Sequence, residues 1–108
     1  MTREEILEAI KEARDYVGAK EKAYRDGTGA YGSISLRSLL ADLGYRPLQQ
    51  NIIIRACAIG GFNYCVDPTI SFRNHEGEWE NPPRFACVWG YDQLRSRLDC
   101  VRFDWERA

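Results

Sequence analysis

The chain has no lysine beyond Lys22, a single histidine at position 75, one methionine and four prolines in 108 residues. Each scarcity narrows the chemistry. A metal-dependent nuclease site of the kind that sets a lysine beside its carboxylates finds no lysine in the second half. A phosphate loop of the Gly-Lys-Ser/Thr type likewise has no lysine after the glycines that run to Gly32. No apolar run approaches the roughly 20 residues that span a bilayer, and Thr2-Arg3-Glu4-Glu5 lacks the apolar core of an export signal. The expectation is a cytoplasmic protein without membrane contact, whose thiols stay reduced.

An excess of one charge is also missing. The net charge is −1, with eight acids and eight bases before Arg55 and eight acids and seven bases from it onward. Nucleic acid is therefore not the expected partner, since binding it leans on a basic face that displaces counterions. Close cysteine pairs are absent as well. Structural zinc sites usually set two ligands two to four residues apart, whereas Cys57 and Cys65, the nearest pair, are eight apart. Cys57, Cys65, Cys87 and Cys100 read as small buried hydrophobes, and neither a metal nor a cofactor is expected.

What is present divides the chain in two. The first half opens with a capping box, Thr2 with Glu5, followed by Ile6, Ile10, Ala13, Val17 and Tyr24 on one helical stripe. This predicts a helix to about Tyr24, stopped by Asp26-Gly27-Thr28-Gly29. The glycine-rich stretch to Gly32 reads as a flexible connector. A short helix is expected after Ser35, with Leu36, Leu39, Leu40 and Leu43 on one face and Gly44 as its stop. Pro47 suits a helix start, but the β-branched run Ile52-Ile53-Ile54 leaves residues 47–59 open between helix and strand, with strand expected toward Ile59.

Nine of the thirteen aromatic residues fall between Phe62 and Trp105, where period-two patterns predict strands. Phe62 to Val66 and Thr69 to Arg73 read as consecutive strands of one sheet, and Glu78 to Glu80 as a segment pairing back across the turn Asn74 to Gly77. Arg84 to Trp89 reads as a further strand. Asp92 is expected to cap a helix holding Leu94 and Leu98, and Val101, Phe103 and Trp105 to alternate in a last strand. The whole is one α+β domain over residues 1–108, with N-terminal helices packed on a small antiparallel or mixed sheet formed by the C-terminal half.

Function is less constrained than fold. An enzyme would draw on His75 with a cysteine, or on Glu76, Glu78 and Glu80 sharing a strand face, but an exposed turn histidine and solvated edge charges account for these residues more simply. Leu36 to Ile59 resembles a helix-turn-helix, with Gln49, Asn51 and Arg55 as base-reading candidates and Gln50 where that motif buries an apolar residue. The reading favoured is a non-catalytic binding module. Arginine offers a planar fork and stacks on rings, and Arg84, Trp89, Tyr91, Arg95, Arg102 and Trp105 are the residue types that anchor interfaces. A protein partner or self-association is expected, the profile of a phage or mobile-element inhibitor among others. A nucleotide or other anionic small ligand is the nearest competitor.

Overall fold

The computed structural model describes residues 1–57 and 64–106, with the side chains of 64, 65 and 84–86 outside the description. The order of elements is α1 (Arg3–Arg25), β1 (Ser33–Ser35), α2 (Leu36–Asp42), α3 (Pro47–Ala56), β2 (Tyr64–Val66), β3 (Phe72–Arg73), β4 (Trp79–Glu80), β5 (Pro83–Ala86), β6 (Val88–Gly90) and α4 (Tyr91–Asp99), closed by a 3-10 turn, Asp104–Glu106. The architecture is α+β, as the sequence implies.

Local chemistry sets the helix ends. Thr2 Oγ1 accepts from the Glu5 amide at 3.2 Å and Glu5 Oε1 accepts from the Thr2 amide at 2.8 Å, so the capping box forms in full. Both α1 and α2 stop on a left-handed glycine, Gly27 at φ 75° and Gly44 at φ 95°. After α2 the Gly44 amide donates to Ala41 and the Tyr45 amide to Leu40, each at 3.0 Å, which satisfies carbonyls the helix end leaves open. Pro47 opens α3, where the Gln49 side chain accepts from the Arg46 amide at 2.9 Å.

The core lies between helices. The α1 stripe Ile6, Ala9, Ile10, Ala13 and Val17 packs most heavily against Leu94 and Leu98 of α4, with Leu36, Leu39 and Leu40 of α2 and Ile52, Ile53 and Ile54 of α3 closing the cluster. Burying each such leucine or isoleucine contributes about 1.5–3 kcal/mol. Two phenols fasten α1 to the α2–α3 region: Tyr16 donates to Asp42 at 3.0 Å and Tyr45 donates to Glu12 at 2.9 Å.

Among the described residues the strands form three separate two-stranded antiparallel ladders: β1 with β6, β2 with β5, and β3 with β4. Several sequence expectations are corrected here. The glycine-rich connector yields a strand, β1, whose Ser33, Ile34 and Ser35 pair with Gly90, Trp89 and Val88. The segments on either side of Asp67-Pro68 do not share a ladder, because Asp67 Oδ1 takes both the Thr69 amide (2.9 Å) and the Thr69 hydroxyl (2.6 Å) in a local turn. Arg84 to Trp89 is broken at Cys87 into two strands with different partners. Residues 47–56 are helix; the strand expected toward Ile59 and the start of the strand at Phe62 lie outside the described residues. Tyr24 leaves the α1 stripe and is exposed.

The final stretch is no strand. Glu106 folds back, its carboxylate accepting from the Phe103 amide at 2.6 Å and its own amide donating to the Phe103 carbonyl at 3.0 Å, so the chain closes into a tight turn. Alternation there records the burial of Phe103 between the exposed Arg102 and the half-buried Asp104. Asp92 sits inside the first turn of α4, whose N-cap is Gly90, so it complements the helix dipole without capping a backbone donor.

Candidate functional site

The apolar spacing of Leu94 and Leu98 turns the opposite face of α4 outward, and that face carries the largest concavity among those described. Asp92, Gln93, Ser96, Arg97 and Cys100 line an open groove of about 590 Å³, with Trp89 of β6 at one wall and Arg95 at its flank. The Arg97 guanidinium lies over the Trp89 ring at 4.1 Å from the centroid. Such a pairing is attractive because the ring face is electron-rich, and it holds both groups in a fixed pose. The neighbouring Val88 is 64% exposed.

The six residues singled out by sequence do not form one surface. Trp89 and Arg95 meet at the groove. Arg95 is already paired, to Glu21 of α1 through Nε and to Asp99 at 2.8 Å, and these carboxylates, Glu21 foremost, keep it firmly charged. Tyr91 faces the other side of the α4 N-terminus. Trp105 lies at the far end of the molecule, stacked on Phe103 at 4.6 Å, edge-on to His75 at 5.3 Å and covered by Arg3 at 5.3 Å. Because Arg95 meets Glu21 and Trp105 meets Arg3, the two ends are about 27 Å apart along α1 at 1.5 Å per residue. Arg102 is exposed, and the side chain of Arg84 lies outside the description. Each of the three indoles nonetheless carries an arginine, since Arg73 covers the exposed Trp79 at 5.0 Å.

A second concavity, which sequence reasoning passed over, adjoins the groove at Asp92. Tyr24, Tyr31 and Tyr91 line a pocket of about 190 Å³ together with Glu21, Arg25 and Asp92. Tyr24 and Tyr31 meet at 5.3 Å and 69°, Tyr31 and Tyr91 at 6.5 Å and 47°. The available signal was a tyrosine close behind a glycine, Tyr31 after Gly29 and Tyr91 after Gly90; Tyr24 gave none, since its spacing places it on the α1 stripe.

His75 corrects the sequence reading of an exposed turn histidine. Its side chain is 3% exposed, with Nε2 3.5 Å from Asp104 Oδ1 and 3.7 Å from Glu76 Oε1. Asn74 shapes the turn, its Oδ1 accepting from the Glu76 amide (2.9 Å) and the Glu78 amide (3.0 Å), and this tucks the imidazole under Trp105. Burial raises the Asp104 carboxyl above its ordinary range, opposed by His75 and reinforced by Glu76. Cys57, fully buried, has its thiol pushed well up by burial and by Asp104, so it is held as the inert protonated form. Cys87 is half-buried and Cys100 exposed, so neither is the buried hydrophobe expected; Cys100 ends α4 beyond the last core position, Leu98. Among the described residues no group of three His, Cys, Asp or Glu is placed to hold a metal.

Two consecutive helices, α2 and α3, do form in this segment, and the base-reading candidates are engaged within the protein. Gln50 is buried, donating to the Tyr45 carbonyl at 2.7 Å and accepting from Arg37 at 3.3 Å. Arg37 also donates at 2.9 Å to Asn51 and to the Pro83 carbonyl, and Arg55 pairs with Glu80 at 2.9 Å. No helix among the described residues is long and apolar enough to cross a membrane. Comparison with protein-family models, with curated proteins and with solved structures finds no match to this chain.

Proposed function

We propose that this chain is a non-catalytic binding module that engages a protein partner through the outer face of α4 and the adjoining strand β6. The observation that carries the reading is Arg97 stacked on Trp89 beside an open groove, with Val88 exposed next to it. Arginine and tryptophan are the side chains that most often dominate interface energetics, and a pre-stacked pair loses little further freedom when a partner covers it. A near-zero net charge suits a protein surface better than a polyanion.

Site-specific photo-crosslinking tests this. A benzophenone side chain at Ser96, inside the groove, is expected to give one defined adduct in cells, whereas the same group at the exposed Lys11 gives none. Arg97→Glu is expected to abolish the adduct while the circular dichroism spectrum stays unchanged. An adduct of twice the chain mass identifies a second copy as the partner. Equal labelling from both positions, or an adduct indifferent to Arg97→Glu, overturns the proposal.

A further inference from the structure

We infer that the pocket formed by Tyr24, Tyr31 and Tyr91 is a binding site for an alkylated ammonium group, the chemistry shared by a methylated lysine side chain and a small free quaternary amine. The site stands on geometry separate from the Trp89 groove, although the two adjoin at Asp92.

Its construction begins with two glycines. The β1–β6 ladder sets Ser33 opposite Gly90, and the Tyr91 amide donates to the Gly32 carbonyl at 3.2 Å. A Cβ on Gly32 would stand 2.5 Å from the Tyr91 hydroxyl oxygen, and one on Gly90 would collide with the Tyr31 hydroxyl. Each phenol therefore lies across a glycine backbone that leaves it room, one on either side of the ladder. Tyr24, from the last turns of α1, meets Tyr31 edge-to-face at 69°, and the three rings together line the 190 Å³ space.

The aromatic lining favours a cation. Ring faces present negative potential, which attracts a cation within about 6 Å of a centroid and repels an anion. Two carboxylates stand at the pocket, Glu21 and Asp92. Glu21 is neutralised by Arg95, whereas Asp92 makes no ion pair or hydrogen bond among the described residues. Arg25 is the lining cation, and its guanidinium lies over none of the three rings among the described residues. Alkylation fits the pocket better than a bare ammonium does. A compact –NH₃⁺ is strongly hydrated and needs acceptors for its three donors, while an alkylated head sheds water readily and packs on ring carbons.

The test uses the intact chain and nuclear magnetic resonance of the tyrosine rings, with tetramethylammonium chloride titrated against potassium chloride at equal ionic strength. Tetramethylammonium is expected to shift the Tyr24, Tyr31 and Tyr91 ring signals saturably, and potassium is not. Tyr31→Leu, at an exposed position that folding tolerates, is expected to weaken binding by about tenfold, Tyr31→Phe to retain it, and Gly32→Ala to weaken it by displacing Tyr91. Arg97→Glu leaves it unchanged, which separates this site from the groove. A trimethyl-lysine peptide binding more tightly than tetramethylammonium, and more tightly than its unmodified counterpart, identifies a side chain as the source; equal binding of the peptide and the free ion identifies the small amine. Absence of saturation, equal shifts from potassium, or full binding by Tyr31→Leu overturns the inference.

Discussion

Tyr45 shows how much one phenol contributes at a junction. Burial first, and then its hydrogen bond to Glu12, push its pKa up to about 12, against about 10 in an unfolded chain. The unfolded chain therefore loses this proton first as the solution becomes alkaline. The stabilisation is complete below pH 10 and is lost as the pH climbs through about 12. Tyr45→Phe is expected to lower stability by about 1 kcal/mol at pH 7, the net value of a typical hydrogen bond, and to flatten the decline between pH 10 and 12. Urea titrations of both proteins across that range check the two effects together.

Between elements the comparable role falls to Arg37. From α2 its fork reaches Gln50 and Asn51 of α3 and the Pro83 carbonyl of β5, so one planar group fixes three elements in mutual register. Arg37→Met is expected to destabilise by about 2–3 kcal/mol, because buried acceptors lose their donor. Arg37→Lys should fail to restore it, since a point charge cannot serve acceptors set apart in a plane. Denaturant midpoints of the two variants decide this. Of the helices that Arg37 joins, α2 was legible in the sequence because its signals are local, a capping serine, a leucine stripe and a glycine after the last turn, whereas α3 was left open because Ile52-Ile53-Ile54 is β-branched and suits a strand equally. Among the strands only the β3–β4 hairpin across Asn74 to Gly77 was legible, because its partner is local; the pairings β1–β6 and β2–β5 were not, because each strand is three or four residues long and its definition lies in a distant partner. Nothing within Gly29 to Ser35 announces that Trp89 will lie beside Ile34. The alternation in residues 101–105 misled for the opposite reason: burial can alternate without any ladder.

For the molecule as a whole, α1 runs antiparallel to α4, tied to it at one end by Glu21 and Arg95, while at the other end Arg3 ties α1 to Trp105 of the 3-10 turn and Glu76 of the β3–β4 turn. A double-mutant cycle on Glu21 and Arg95 is expected to give a favourable coupling at low ionic strength that shrinks as salt is added, because Arg95 remains partly open to solvent. The same geometry explains how the candidate surface was only half legible. Residue types identified arginine and tryptophan as partners, and every indole does carry a guanidinium. Proximity in sequence suggested one surface, yet the long helix sends Trp89 and Trp105 to opposite ends.

Reliance of α1 on α4 for its cover has a consequence for biogenesis. Helix α1 leaves the ribosome with Ile6, Ile10 and Val17 lacking their α4 partners, and Leu94 and Leu98 emerge only after every element between α1 and α4 has been made. Packing of α1 on α4 must then wait until α4 has been made, and in that interval the nascent polypeptide displays an amphipathic segment that holdase chaperones are suited to grasp.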